Sequence, residues 1–230
     1  MFKLLVFASL LAFAIGREFK LINHCDFTIW PGWQGASATP NGGGTTLHPC
    51  RTHIFQAPDN WKSGRIWART GCNSNFHCET GGCGHSEQCS GNWGATGVTL
   101  SEFTLTKWKD LDFYDVSHVD GYNVQITIKP INGSGDCKVT GACNEDLLDS
   151  CPKELRVYKH GRTVECRSAC TKFRSHHYCC TGKYGTKETC GPTDYSRFFK
   201  ERCPKNYSYA YDDATSRYTC KDANYEVHFC

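Results

Sequence analysis

The chain has 230 residues, seventeen of them cysteine and only one methionine, with a formal net charge of +3. So mild a balance gives no basis for a nucleic-acid partner and allows no more than a weak attraction to anionic cell surfaces. At this length a real hydrophobic core can form, so disulfides would supplement the core rather than replace it.

Residues 1–16, MFKLLVFASLLAFAIG, combine one Lys, an apolar run and small residues at Ala14 and Gly16. This is the pattern of a secretory signal peptide, with cleavage expected near Gly16 and Arg17. A membrane anchor needs about 20 apolar residues, and Arg17, Glu18 and Lys20 follow too soon. The expected product is therefore exported and extracellular, without stable membrane insertion. In that compartment structural disulfides persist. An odd cysteine count leaves at least one thiol free, paired with another chain or bound elsewhere.

Residues 18–30 alternate as two short strands around residues 23–26, which Pro31-Gly32 is expected to end. Asn41-Gly42-Gly43-Gly44 is read as a hairpin connection. It is not a phosphate loop, since no Lys and Ser/Thr follow it in a strand-to-helix pattern. Ile54-Phe55 and residues 64–70 supply further strands, separated by a loop at 57–63. Residues 72–93 hold four cysteines, four glycines and almost no aliphatic side chain, so they cannot build a core of their own. Two short bridges, worth about 2–3 kcal/mol each in the chain-entropy model, would hold them. A zinc site using His77 and His85 is the rival reading, but the knuckle spacing of such sites is missing. No metal or cofactor is expected.

Residues 98–105 and the alternating Tyr122, Val124, Ile126 and Ile128 read as half-buried strands. Beside them sit Glu102, Asp115 and Asp120. By spacing alone these are either ordinary solvent-facing acids or a site carried on rigid sheet. A second cysteine cluster, residues 137–203, is expected to form a lobe of short helices and loops. Cys166 and Cys170 are spaced for one face of a helical turn. Cys179 and Cys180 are adjacent, so each should bond elsewhere. Thr193 can cap a helix DYSRFFKER that Pro204 ends, with Phe198 and Phe199 packed inward. The closing segments YSYAYDDATSRYTC and NYEVHFC read as strand-like. Asn132-Gly133-Ser134 and Asn206-Tyr207-Ser208 are glycosylation sequons, Asn132 in a Gly-rich turn.

Trp30 near the first cysteine, GRIWARTGC at 64–72, CETGGCGHSEQC at 78–89, LSEFTL, DFYDVSHVDGYNV, YCC and CGPTDYSRFFKERCP occur in order. Together with the terminal cysteine they resemble the thaumatin-like proteins, the thaumatin and pathogenesis-related group 5 family. The resemblance spans nearly all of residues 17–230 and implies a mainly β fold, a β-sandwich with two disulfide-rich lobes. The sandwich would take residues 17–69, 98–144 and 204–230. The small lobe would take 70–97, and the larger lobe, containing short helices, 145–203. The family's sixteen cysteines imply the bridges Cys25–Cys230, Cys72–Cys78, Cys83–Cys89, Cys137–Cys220, Cys143–Cys203, Cys151–Cys166, Cys170–Cys179 and Cys180–Cys190, with Cys50 left as a reactive free thiol. Two departures fall in the small lobe: Thr80-Gly81-Gly82-Cys83 replaces the usual TGDC, and the loop between Cys72 and Cys78 is short.

The family's cleft residues map onto Arg65, Glu102, Asp115, Asp120 and Asp213. The resemblance thus implies a secreted antifungal defence protein, a monomer, that binds β-1,3-glucan of microbial cell walls through an acidic cleft. A weak endo-β-1,3-glucanase is the alternative. There Glu102, framed by Leu100, Phe103 and Leu105, would donate the proton and Asp120 or Asp115 would be the ionised partner. A role as hydrolase inhibitor, or another protein interaction through exposed loops, is the third reading.

Overall fold

The computed structural model describes residues 16–105 and 111–230, so the expected signal peptide lies outside the described residues except for Gly16, as do five positions of the expected sandwich. The strands are β1 (Gly16–Asn23), β2 (Trp30–Gln34), β3 (Thr52–Pro58), β4 (Gly64–Arg69), β5 (Leu100–Thr104), β6 (Asp112–Ser117), β7 (Gly121–Tyr122), β8 (Ile126–Ile131), β9 (Arg156–Lys159), β10 (Arg162–Arg167), β11 (Tyr218–Cys220) and β12 (Asn224–Phe229). Among the described residues the short helices are α1 (Leu147–Ser150), α2 (Ala169–Phe173), α3 (His176–Cys179), α4 (Asp194–Arg202) and α5 (Asp213–Ser216).

A four-stranded sheet in the order β3-β1-β12-β8 packs on a five-stranded sheet in the order β11-β6-β5-β4-β2. Period-two burial explains the pairing of faces. Phe19 and Leu21 of β1 and Tyr225, Val227 and Phe229 of β12 point inward, where they meet Ile66, Ala68, Phe103, Tyr114 and Val116 of the other sheet. The centre is aromatic: Phe19 stacks on Phe55 at 5.2 Å and meets Phe103 edge-on at 4.9 Å. Trp33 stacks on Phe55 at 4.5 Å and donates its indole N–H to the Pro40 carbonyl. The first and last strands pair in parallel, Phe19 opposite Tyr225.

The small lobe has almost no regular structure and leans on Trp67, with Cys83, Cys89, Val98 and Leu100 around it. Arg69 is fully buried and pins this lobe to β2, donating to the carbonyls of Trp30, Pro31, Ser86 and Glu87. Burial pulls its guanidinium down to about 10. The larger lobe has a core of Tyr122, Leu147, Leu155 and Phe199 with bridged cysteines. The bridges present are Cys25–Cys230, Cys72–Cys78, Cys83–Cys89, Cys137–Cys220, Cys143–Cys203, Cys151–Cys166, Cys170–Cys179 and Cys180–Cys190, and Cys50 is an exposed free thiol.

Several local expectations fail. Pro31-Gly32 lies inside β2 instead of ending a strand, because β2 is a sheet edge where a missing N–H is tolerated. Gly32 is required there, since an added Cβ would lie 2.6 Å from the Trp67 ring. The 40–44 connection, by contrast, does join antiparallel partners, since Gly32 bridges Gly44 and Ile29 bridges Leu47, through a 3-10 turn with Asn41 at φ 48° and Gly42 at φ 79°. Residues 122–128 are not one strand, for β7 pairs with β10 in the larger lobe before β8 begins. Cys166 ends up in β10 and Cys170 in α2, so they share no helical face. The larger lobe contains the hairpin β9–β10 besides its helices, and α5 interrupts the closing strands.

The Asn206 sequon lies inside the fold. Asn206 is 1% exposed and its Nδ2, the atom a glycan would occupy, donates to the Gly141 carbonyl at 3.1 Å. Asn132 is exposed. Among the described residues no helix is long and apolar enough to cross a membrane.

Candidate functional site

Three adjacent strands set up the site. Arg65 on β4 sits opposite Glu102 on β5, and Glu102 sits opposite Asp115 on β6. Directly opposed residues in antiparallel strands hold their Cβ atoms roughly 4.5–5.5 Å apart, so the three side chains form one row across the outer face of the sheet. Phe103 on the same strand points the other way, into the sandwich. The site is thus the reverse side of the core, fixed by the same alternation.

The row forms the floor of an open cleft of about 620 Å³ whose walls include Trp93, Phe113, Asp120, Tyr207 and Arg217. Arg65 Nε donates to Glu102 Oε1 at 2.8 Å, and the guanidinium carbon lies 5.6 Å from the centre of the Trp93 ring. Asp120 follows β6, where the chain turns toward the larger lobe. Asp213 opens α5 at the rim, outside the lining but coupled to it: Tyr207 donates its O–H to Asp213 Oδ1 at 2.9 Å, and Arg217 approaches the same oxygen at 3.7 Å. The five residues expected from sequence therefore converge, four in the cleft and Asp213 beside it. Trp93, Tyr207, Phe113 and Arg217 were missed. Their one signal was proximity in the chain, Arg217 and Tyr207 on either side of Asp213 and Trp93 at the end of the glycine-rich lobe.

Burial, and then the neighbouring Glu102 and Asp213, push the Asp115 carboxyl well above the usual range against the pull of Arg65. Its Oδ1 is buried without a hydrogen-bond partner. Burial also raises Asp120, again against Arg65. The environment expected for Glu102 belongs instead to Asp115. Phe103 and Leu105 are on the core side of β5 and do not surround Glu102, whose side chain is 30% exposed with one oxygen held by Arg65.

The cleft thus offers carboxylate acceptors, guanidinium and hydroxyl donors, and ring faces, a set suited to a neutral polyol. The His77 and His85 rings lie 4.3 Å apart, tilted by 52°, but the four cysteines of their lobe are spent in bridges. His118 with Cys143 and Cys203 is the one three-residue group with metal-ligand spacing among the described residues, and its two sulfurs are bonded to each other.

The thaumatin family model matches residues 23–230. Pathogenesis-related protein 5 of Arabidopsis thaliana is 48% identical over 231 residues, covering 98% of this chain and 95% of its own. Pathogenesis-related thaumatin-like protein 3.5 of Cryptomeria japonica is 46% identical over 218 residues, covering 92% and 89%. Among solved structures, a laminaripentaose-producing β-1,3-glucanase in complex with laminaritetraose aligns over 93% of this chain and 98% of its own, with a TM-score of 0.63 at 11% identity, a likeness of fold alone. A family model that spans both lobes and the sandwich from Asn23 onward, and relatives near half identity over almost their full length, place this chain in the thaumatin family.

Proposed function

We propose that the protein is a secreted, antifungal defence protein that binds cell-wall β-1,3-glucan in the acidic cleft. The row Arg65–Glu102–Asp115, open to solvent beneath Trp93 and Tyr207, carries this reading. Two neighbouring acids, Glu102 and Asp115, with only one guanidinium beside them and one buried carboxyl oxygen unpartnered, cost stability, and a surface with no ligand has no need of them. The pathogenesis-related names of the relatives support the defence role. The test is retention on insoluble β-1,3-glucan, chitin and cellulose, with reducing-sugar release measured on whichever polymer binds. Retention on β-1,3-glucan should be lost when Glu102, Asp115, Asp120 and Asp213 are all made amides. Unchanged retention would refute the cleft.

Hydrolysis is a second reading, favoured by Asp115. Burial and the neighbouring acids raise its carboxyl, and an acid raised in this way beside other carboxyls is what glycoside hydrolysis uses as its proton donor. In that case Asp115→Asn should lower cleavage by about 10²–10⁴-fold while largely keeping binding. Glu102→Gln should act mainly on binding, by releasing Arg65. Cleavage that survives in Asp115→Asn would end this assignment.

A further inference from the structure

The larger lobe concentrates the positive charge of the chain. Residues 151–203 contain twelve Lys and Arg against five Asp and Glu, a formal +7, so with +3 for the whole chain the remainder is −4. Many of these cations are engaged: Arg162 meets Glu79, Arg167 meets Glu165, Arg197 meets Asp194, Lys200 meets Asp212 and Arg202 meets Glu145. Lys172, Arg174, Lys183 and Lys187 are exposed and form no ion pair among the described residues. Glu188 is the one acid in residues 168–193.

The same stretch carries a continuous strip of rings at the surface. Tyr184 lies 4.9 Å from His177, His177 lies 5.2 Å from Tyr178, Tyr178 lies 5.6 Å from Phe173 and Phe173 lies 5.5 Å from Tyr195. Phe173 is 41% exposed, and Lys183 Nζ is 5.1 Å from the centre of the Tyr184 ring. The bridges Cys170–Cys179 and Cys180–Cys190 hold the stretch, and Tyr211 donates to the Gly185 carbonyl at its far end. The strip is therefore preorganised, and none of its residues lines the acidic cleft.

We propose that this basic, aromatic face is a second binding site, and that it takes a carboxylated polysaccharide, a polyuronate. Ring faces suit the C–H faces of sugars, the polar tips of Tyr and His suit their hydroxyls, and the four unpaired cations complement carboxylates placed along the polymer. A lipid surface is disfavoured, because docking on a bilayer scales with apolar area and Phe173 alone among the five rings lacks a polar atom. A nucleic acid calls for a denser basic footprint.

The test uses the full, disulfide-bonded chain and polygalacturonate as the probe, with the fully methyl-esterified polymer as its neutral counterpart. The acidic polymer should bind, and binding should weaken sharply between about 20 and about 200 mM salt as the screening length contracts. Changing Lys172→Gln, Arg174→Gln, Lys183→Gln and Lys187→Gln together should weaken binding about tenfold, or ~1.4 kcal/mol over four exposed contacts. Tyr184→Ala should weaken it separately, and glucan retention should be unaffected by either change. Equal binding of the esterified polymer, unchanged binding by the fourfold variant, or tighter binding to anionic vesicles or single-stranded DNA would overturn the proposal. Loss of glucan retention in the cleft variants would leave it standing, so the two sites fail independently.

Discussion

Asp112 shows how far burial outweighs local charge in this protein. Arg17 Nε is 3.6 Å away and Tyr225 donates its O–H at 2.9 Å, yet burial pushes the carboxyl up to about 6. The unfolded chain releases this proton first, near pH 4. The stability contributed by this group is therefore complete below about pH 4 and is lost as pH rises through 6, a penalty of ~3 kcal/mol at neutral pH. Asp112→Asn keeps an acceptor for Tyr225 and removes the titration. Denaturant unfolding should then show a flatter change between pH 4 and 7 and a gain of up to ~3 kcal/mol at pH 7, and an unaltered slope would refute the assignment. His118 works in the opposite direction. It is buried with both ring nitrogens unpartnered and pulled down to about 3, so its contribution is lost as pH falls from 6.5 toward 3. Stability is squeezed from both sides, and neither residue's environment can be read from its sequence neighbours.

Elements were legible where their determinants are local. Helix α4 is the clear case: the Thr193 hydroxyl accepts from the Ser196 amide, Ser196 returns a bond to the Thr193 amide, and Pro204 follows the end. Thr193→Ala should cost about 1 kcal/mol, measured by equilibrium unfolding, with Thr193→Ser close to neutral. A loss no larger in Ala than in Ser would show that the cap contributes nothing. The hairpin β9–β10 was hidden because its two-residue turn is His160-Gly161, at φ 48° and 78°, in the place where Asn-Gly usually announces such a turn. The break between β7 and β8 was hidden for a different reason. Asn123 is buried there by bonds to Ala68, Thr80 and Thr99, all distant in the chain, which no local alternation encodes. In the candidate site, the register Arg65–Glu102–Asp115 depends on which strands neighbour one another. Family motifs brought those residues to notice, but only the sheet order shows that they form one row and that Asp115, rather than Glu102, is the buried acid.

At the scale of the molecule, the decisive closure joins the two ends of the domain. β1 and β12 pair in parallel at the middle of the four-stranded sheet, and Cys25–Cys230 fastens them across 205 residues. A bridge that constrains the unfolded chain stabilises more as its loop lengthens. Even with Cys137–Cys220 shortening the path, the chain-entropy model assigns Cys25–Cys230 ~4–5 kcal/mol, against ~2 kcal/mol for the six-residue closure Cys72–Cys78. The comparison needs paired substitutions. Removing Cys25 alone would leave Cys230 as a second free thiol beside exposed Cys50, whose amide bonds to the Asn23 carbonyl two residues from Cys25, and either thiolate could attack a remaining bridge and release one of its sulfurs as a new thiol. Cys25→Ala with Cys230→Ala should therefore lower unfolding free energy about twice as much as Cys72→Ala with Cys78→Ala, each measured without reductant. The reverse order would mean that the parallel β1–β12 pair holds the ends together even in the unfolded ensemble, leaving the bridge little entropy to remove.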